Sequence, residues 1–183
     1  MENINKYELK VGGVIILTTP INWEEAIQVI MDLCSTSDGK ISNFHSYELP
    51  EKYIPVITCY NDLYTVSKGN TLPRLLMQPF IESLKTVFKL VYKEDLKIEM
   101  YGKPHASSYN FARSELEEMY GPIGQMCMIG DNIDSDIRGP LEIGWDTILV
   151  KTGVNKVDFE KSTVNAEDIW SGVRQYLKLD QSK

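Results

Sequence analysis

Gln125-Met126-Cys127-Met128-Ile129-Gly130-Asp131-Asn132-Ile133-Asp134-Ser135-Asp136-Ile137-Arg138-Gly139 runs from an apolar stretch, through a glycine, into three closely spaced aspartates. A short apolar run bounded by turn residues reads as a buried strand of a parallel sheet. The aspartates follow at its C-terminal end, where open α/β sheets present ligand-binding groups. Carboxylates this close repel one another unless something cationic relieves them. Magnesium suits the pattern, because it takes hard oxygen ligands, keeps several waters and needs only one or two protein carboxylates. The same residues also suit a helix N-terminus, where Asp caps and complements the dipole. On that reading Ser135 or Asp134 caps a short helix through Ile143, closed by Gly144.

Immediately upstream, Leu96-Lys97-Ile98-Glu99-Met100-Tyr101 alternates like a strand and delivers Gly102-Lys103-Pro104. An ammonium at the mouth of a sheet can neutralise charge on a transferring phosphoryl group; a lone Gly-Lys-Pro can equally be a solvated turn. It is not a nucleotide-binding loop, since the Gly-rich spacing and the following Ser or Thr are missing. Pro104 suits the first turn of a helix whose apolar stripe is Tyr109, Ala112, Leu116 and Met119, stopped by Gly121-Pro122. Downstream, Asp146–Val150 reads as the next parallel strand. Asn165 to Leu177 reads as a terminal helix with Ile169, Trp170, Val173 and Leu177 on one face.

The N-terminal half repeats the strand and helix alternation. Val11–Leu17 is a β-branched strand, and Asn22 caps a helix with Trp23, Ala26, Ile27, Ile30, Met31 and Cys34 inward. Lys40 to Lys52 reads as a loop, and Ile54–Cys59 as a second strand, which implies a parallel crossover. Asn61 and Asp62 follow that strand, either as substrate contacts or as an Asx turn. Gly69-Asn70 turns the chain. Pro79 then opens a helix with Phe80, Ile81, Leu84, Val87, Phe88 and Val91 inward. The expected architecture is therefore α/β, with residues 1–95 as one α/β part and residues 96–183 as another.

Composition narrows the function further. A formal charge of −7 across 183 residues argues against a nucleic-acid-binding surface. The longest apolar run, Val14 to Leu17, is far too short for a membrane span. Met-Glu-Asn-Ile-Asn-Lys resembles neither a signal peptide nor a transit peptide. Cys34, Cys59 and Cys127 lie in apolar stretches with no paired spacing, which reads as reduced core thiols rather than zinc ligands. His45 and His105 have no partner at metal or triad spacing and read as surface residues.

Lysine in Gly-Lys-Pro, then a helix, then an apolar strand ending Gly-Asp-(four residues)-Asp resembles the third and fourth motifs of the haloacid dehalogenase-like (HAD) hydrolase superfamily. Gly144 to Val154, with its Thr152-Gly153 turn, is similar to the class IIA members. Val14–Leu17 with Pro20–Glu24, Pro55–Ile57 with Cys59–Leu63, and Leu72-Pro73-Arg74 resemble the cap of a narrower group, the cat eye syndrome critical region protein five type. The likeness runs from about Lys10 to Val154. It implies a cap over residues 1–95 and the C-terminal portion of a Rossmann-like HAD core over residues 96–183. By the same likeness Lys103 would hold the nucleophile and phosphoryl group by charge, Asp131 would ligate Mg2+ in the complete active site only, and Asp136 would orient from behind. Asn61 and Asp62 would lie on the cap face that meets a small phosphorylated substrate. A mitochondrial location follows from the likeness alone, with the cytoplasm as the alternative.

One departure is decisive. Family members attack phosphorus with the first aspartate of an Asp-x-Asp-Gly motif on a core strand. Here the early apolar strand ends Leu17-Thr18-Thr19-Pro20, and Asp134-Ser135-Asp136 is the only Asp-x-Asp. The family's second motif, a Ser or Thr after another strand, has no home either. The expectation is the C-terminal part of a longer protein: a truncated gene model, a split gene product or a relic. Such a chain would be a magnesium-dependent phosphohydrolase that is silent alone, with the missing N-terminal core portion as its partner. The rival expectation is a non-catalytic binding or scaffold protein that keeps the cap for recognition. Without the nucleophile strand, Gln125 to Ile129 would be an exposed apolar edge, and the chain poorly soluble by itself.

Overall fold

The computed structural model describes residues 10–36, 39–40, 49–60, 62–66 and 72–179. They form two compact units, Met1–Leu63 with Leu75–Met100, and Tyr64–Arg74 with Tyr101–Lys183. Both are α/β with parallel sheets.

In the first unit β1 (Val14–Ile16), β2 (Val56–Thr58) and β5 (Ile98–Met100) form a parallel sheet in the order β1-β2-β5. The strand expected at Leu96–Tyr101 thus completes this first sheet. Helix α1 (Trp23–Cys34) starts where the Asn22 side chain accepts the Glu25 N–H, with Glu24 and Glu25 in the first turn. Helix α2 (Met77–Tyr92) begins two residues before Pro79, which sits within its first turn, where the lost N–H has no helical partner to miss. The two helices bury Ile30, Met31, Cys34, Phe80, Leu84 and Phe88 against Ile16 and Val56. Each such side chain is worth roughly 1.5–3 kcal/mol of transfer free energy. Val91, expected inward, is exposed, and Tyr92 takes the buried position instead.

The opposite face of this sheet is open: Ile15 is 63% exposed and Glu99 is also exposed. β3 (Tyr64–Thr65) and β4 (Arg74–Leu75) form a two-stranded sheet. The expected turn at Gly69-Asn70 lies outside the described residues, as does His45. Cys34 is fully buried, but Cys59 is exposed rather than in the core.

In the second unit β6 (Cys127–Gly130), β7 (Asp146–Val150) and β8 (Val164–Ala166) form a parallel sheet in the order β6-β7-β8. β7 is buried from Thr147 to Val150, whereas every residue of β6 is half-buried, as befits an edge strand. Helix α3 (Ala106–Tyr120) starts after His105, so Pro104 lies outside it rather than in its first turn. Of its expected stripe only Tyr109 is buried; Ala112 and Met119 are exposed. Asn132, not Ser135 or Asp134, caps the turn after β6. That turn is a single π-helical one over Ile133–Arg138, continued by α4 (Gly139–Glu142).

The terminal helix was expected too early. Val164–Ala166 is strand β8, and α5 (Ile169–Tyr176) follows a reciprocal Asp168–Ser171 cap. Its expected apolar face is corrected as well. Ile169, Trp170 (69% exposed) and Leu177 point outward, while Val173 and Tyr176 pack on β7 and β8. Gly172 explains the choice, because a Cβ there would lie 2.5 Å from Ile148 Cγ2, so the small face approaches the sheet.

Candidate active site

Lys103, Asp131 and Asp136 are brought together at the C-terminal end of β6. Asp136 is the hub. It is 4% exposed and lies one π-helical turn beyond the strand. A buried carboxylate is costly unless paired and hydrogen-bonded. Here Oδ1 takes Lys103 Nζ at 2.5 Å and the Ser135 hydroxyl at 3.5 Å. Oδ2 takes the N–H groups of Asp131 (3.2 Å) and Asn132 (3.1 Å). The exposed Lys103 is thereby anchored by its ammonium over the end of β6.

Local sequence explains this geometry. The Asn132 side chain accepts from the N–H groups of Asp134 and Ser135, which starts the turn. Tyr109 Oη donates to the Ser135 carbonyl at 2.6 Å and packs edge-on against Trp145. The carbonyl of Ser135 is thus satisfied by a side chain from α3. Gly130 leaves room for the hub: a Cβ there would lie 2.3 Å from Asp136 Cβ and 2.4 Å from Oδ2.

The three aspartates do not form one cluster. Asp134 turns outward to Arg138, 2.9 Å away, and Asp136 is committed to Lys103. Asp131 is half-buried, and its Oδ2 accepts the Val154 N–H at 2.5 Å. Its Oδ1 accepts no hydrogen bond among the described residues. No group of three His, Cys, Asp or Glu that could hold a metal occurs among them either. One carboxylate oxygen at the strand end is compatible with a magnesium ion that keeps most of its waters and takes only one or two protein ligands.

Asp62 belongs to the first unit, where its backbone carbonyl accepts the Gln78 N–H at 3.1 Å, and Asn61 lies outside the described residues. Sequence reasoning missed the Val154 and Asn155 backbone donors to Asp131 and the Tyr109 hydroxyl. A backbone N–H has no residue-type signature, and Tyr109 read only as packing. The glycine at 153 was the one available hint.

Known proteins similar to this chain bear on its family and fold. Residues 100–175 match the HAD-hydrolase-like family model, which spans Lys103, Asp131 and Asp136. The chain is 36% identical over 179 residues to the cardiolipin synthase (CMP-forming) / mitochondrial hydrolase fusion protein of Schizosaccharomyces pombe. That match covers 91% of this chain and 29% of the relative. A mitochondrial hydrolase of Saccharomyces cerevisiae is 26% identical over 197 residues, covering 92% of this chain and 56% of that one. The chain thus spans between about a third and just over half of these relatives' length. A solved structure of a possible sugar phosphatase of the HAD superfamily from Cytophaga hutchinsonii superposes with a TM-score of 0.60 at 19% identity. It covers 85% of this chain and 51% of that one, and supports the fold. Residues 100–175 are thus HAD-hydrolase-like, and over most of its length the chain is similar to proteins named as mitochondrial hydrolases.

Proposed function

We propose that this chain is the lysine- and metal-bearing part of a magnesium-dependent phosphohydrolase of class IIA, of the cat eye syndrome critical region protein five type. The carrying observation is the 2.5 Å contact of Lys103 Nζ with buried Asp136, beside Asp131 at one strand end. Lys103 sits where it can neutralise charge building on a phosphoryl oxygen, and Asp136 holds the ammonium in place. Asp131 would hold Mg2+, which when bound supplies Lewis-acid polarisation of the phosphoryl group. Asn61 and Asp62 are proposed as substrate contacts in the cap, residues 1–95, with the C-terminal core portion over residues 96–183. The substrate class is a small phosphate monoester.

The attacking aspartate would come from outside this sequence, on a strand laid parallel to β6. Two features support that reading: the half-buried β6 at the sheet edge, and the exposed Ala112 and Met119 on α3. We place the protein in the mitochondrion on the names of its two curated relatives. That the only Asp-x-Asp, Asp134-Ser135-Asp136, belongs to the turn with Asp131 favours a second reading, a non-catalytic binding protein derived from the hydrolases.

The test is hydrolysis of para-nitrophenyl phosphate with Mg2+. The chain alone is expected to be silent. Co-expression with a relative's segment bearing an apolar strand and Asp-x-Asp-Gly is expected to give turnover, lost about 10²–10³-fold in Lys103→Ala. Silence of the soluble, reconstituted pair would favour the binding protein, and turnover by the chain alone would defeat the external nucleophile.

A further inference from the structure

The turn Lys151 to Asp158 touches the site only through backbone, and it touches Asp131 twice. Val154 N–H donates to Asp131 Oδ2 at 2.5 Å, and Asn155 N–H donates to the Asp131 carbonyl at 3.0 Å. A hydrogen bond to a carboxylate is among the stronger ones, and two donors at both ends of one residue fix the side chain against the main chain. Gly153 stands closest of all. A Cβ there would lie 1.7 Å from Asp131 Oδ2 and 2.3 Å from Cγ, so any other residue at 153 must displace the carboxylate. Its backbone is not in the left-handed region, so proximity alone requires glycine. The turn is tied at its base. Lys151 Nζ bridges Asp158 (2.8 Å) and Glu167 (3.0 Å), Lys156 Nζ returns to the Lys151 carbonyl, and Asn155 Nδ2 donates to the Val157 carbonyl.

We infer that Gly153-Val154-Asn155 is a backbone clasp that positions Asp131, holding Oδ2 so that Oδ1 is the oxygen offered to a divalent cation. The inference rests on the proposed role of Asp131 as a metal ligand. The clasp residues are positioning residues: they reach the cation only through Asp131. Lost order in such supporting contacts typically costs 10–100-fold in metal affinity.

The two ideas separate in one experiment on the isotope-labelled chain co-expressed with the relative's segment bearing Asp-x-Asp-Gly, by 1H–15N spectra with substoichiometric Mn2+ as the probe. In the wild type, selective broadening of the Val154 and Asn132 amides is expected, and Asp131→Asn abolishes it. Gly153→Ala is expected to weaken the broadening at least tenfold at an otherwise native spectrum. Gly124→Ala, where a Cβ meets open space, leaves it unchanged. Lys151→Met, which loosens the base of the turn without a clash, lowers it about twofold and serves if Gly153→Ala fails to fold. Wild-type broadening in Gly153→Ala, or in Lys151→Met should the former not fold, overturns the clasp while leaving the ligand role intact. Broadening that survives Asp131→Asn, or none in the wild type, overturns both.

Discussion

The two sheets of this chain invest their residues differently. In the first unit one cluster gathers twelve buried residues, including Phe80, Phe88 and Met77, around a sheet covered on one face. In the second unit the corresponding cluster on the α5 side holds four, Ile148, Val150, Val164 and Ala166. Its other buried groups include an ion-paired carboxylate and hydroxyls, Asp136, Ser135, Thr147 and Ser162. Thr147 and Ser162 hydroxyls meet at 3.2 Å, and Ser162 also donates to the Thr147 and Val164 carbonyls. The first unit is held by apolar area, which is non-directional and tolerant of rearrangement. The second also buries Tyr109, Ile137, Trp145 and Leu149, and adds to that apolar area directed bonds to particular atoms, which fail steeply when one partner is lost. Lys103 and Asp136 are held by the second kind of order.

That contrast can be broken from either side. The largest effect is expected in the first core: Phe88→Ala should cost about 3–5 kcal/mol in urea melts, because its ring packs tilted on Tyr53 and Tyr92. Hydrogen exchange should localise the loss to 77–92 and leave 127–130 protected; equal loss in both sheets would show that the units do not differ as described. Next, Asp136→Asn removes the anchor of Lys103 with almost no change of volume. In the reconstituted hydrolase, turnover should fall about 10²-fold. A stability loss of only about 1 kcal/mol is expected beside it, since the Lys103 ammonium, 44% exposed, stays hydrated when its carboxylate partner is removed.

Alkaline pH offers a third, smaller test. Desolvation pushes the buried Cys34 thiol from 9.0 up to about 11. The unfolded chain then releases this proton at lower pH than the folded one. The stability is therefore intact below about pH 9 and falls by roughly 2–3 kcal/mol as pH rises to 11. Cys34→Ala should flatten that slope. In the second unit Tyr176, hydrogen-bonded to Asp146, is pushed up to about 12 and loses stability in the same direction above 10.0. Tyr176→Phe should remove that part while leaving the Cys34 slope; an unchanged urea-melt profile in both variants would refute the assignments. Smallest of all, Trp170→Ala on the exposed face of α5 should shift stability by no more than about 0.5 kcal/mol, which a thermal melt would register as near-wild-type behaviour. A larger loss would return that side chain to the core.

Where the periodic signal met a covering partner, it was legible. Trp23 to Cys34 is a helix with its expected face inward, and Asp146–Val150 is a strand at its expected bounds. Where apolar residues outnumber the surface available to cover them, the signal misled. The stripes of α3 and α5 are real in sequence, yet Met119, Ile169 and Trp170 are exposed among the described residues. Position in the sheet was invisible too. Ile98–Met100 reads as a strand but nothing in it says that it pairs with Val56–Thr58, and a helix read from Asn165 takes in Asn165 and Ala166 of strand β8, which the helix only follows.

Residue types and their spacing by themselves determined the likeness to HAD-like hydrolases and picked out a lysine and two carboxylates that meet at one strand end, because charge chemistry depends on which side chains a chain carries. Tertiary structure decided which carboxylate does what. Asp134, Asp131 and Asp136 are alike in the sequence; packing sends one to Arg138, one to a backbone N–H and one to Lys103. The physical reason is that a carboxylate's role is set by its donors, and half of the donors here are backbone N–H groups that the fold alone can aim.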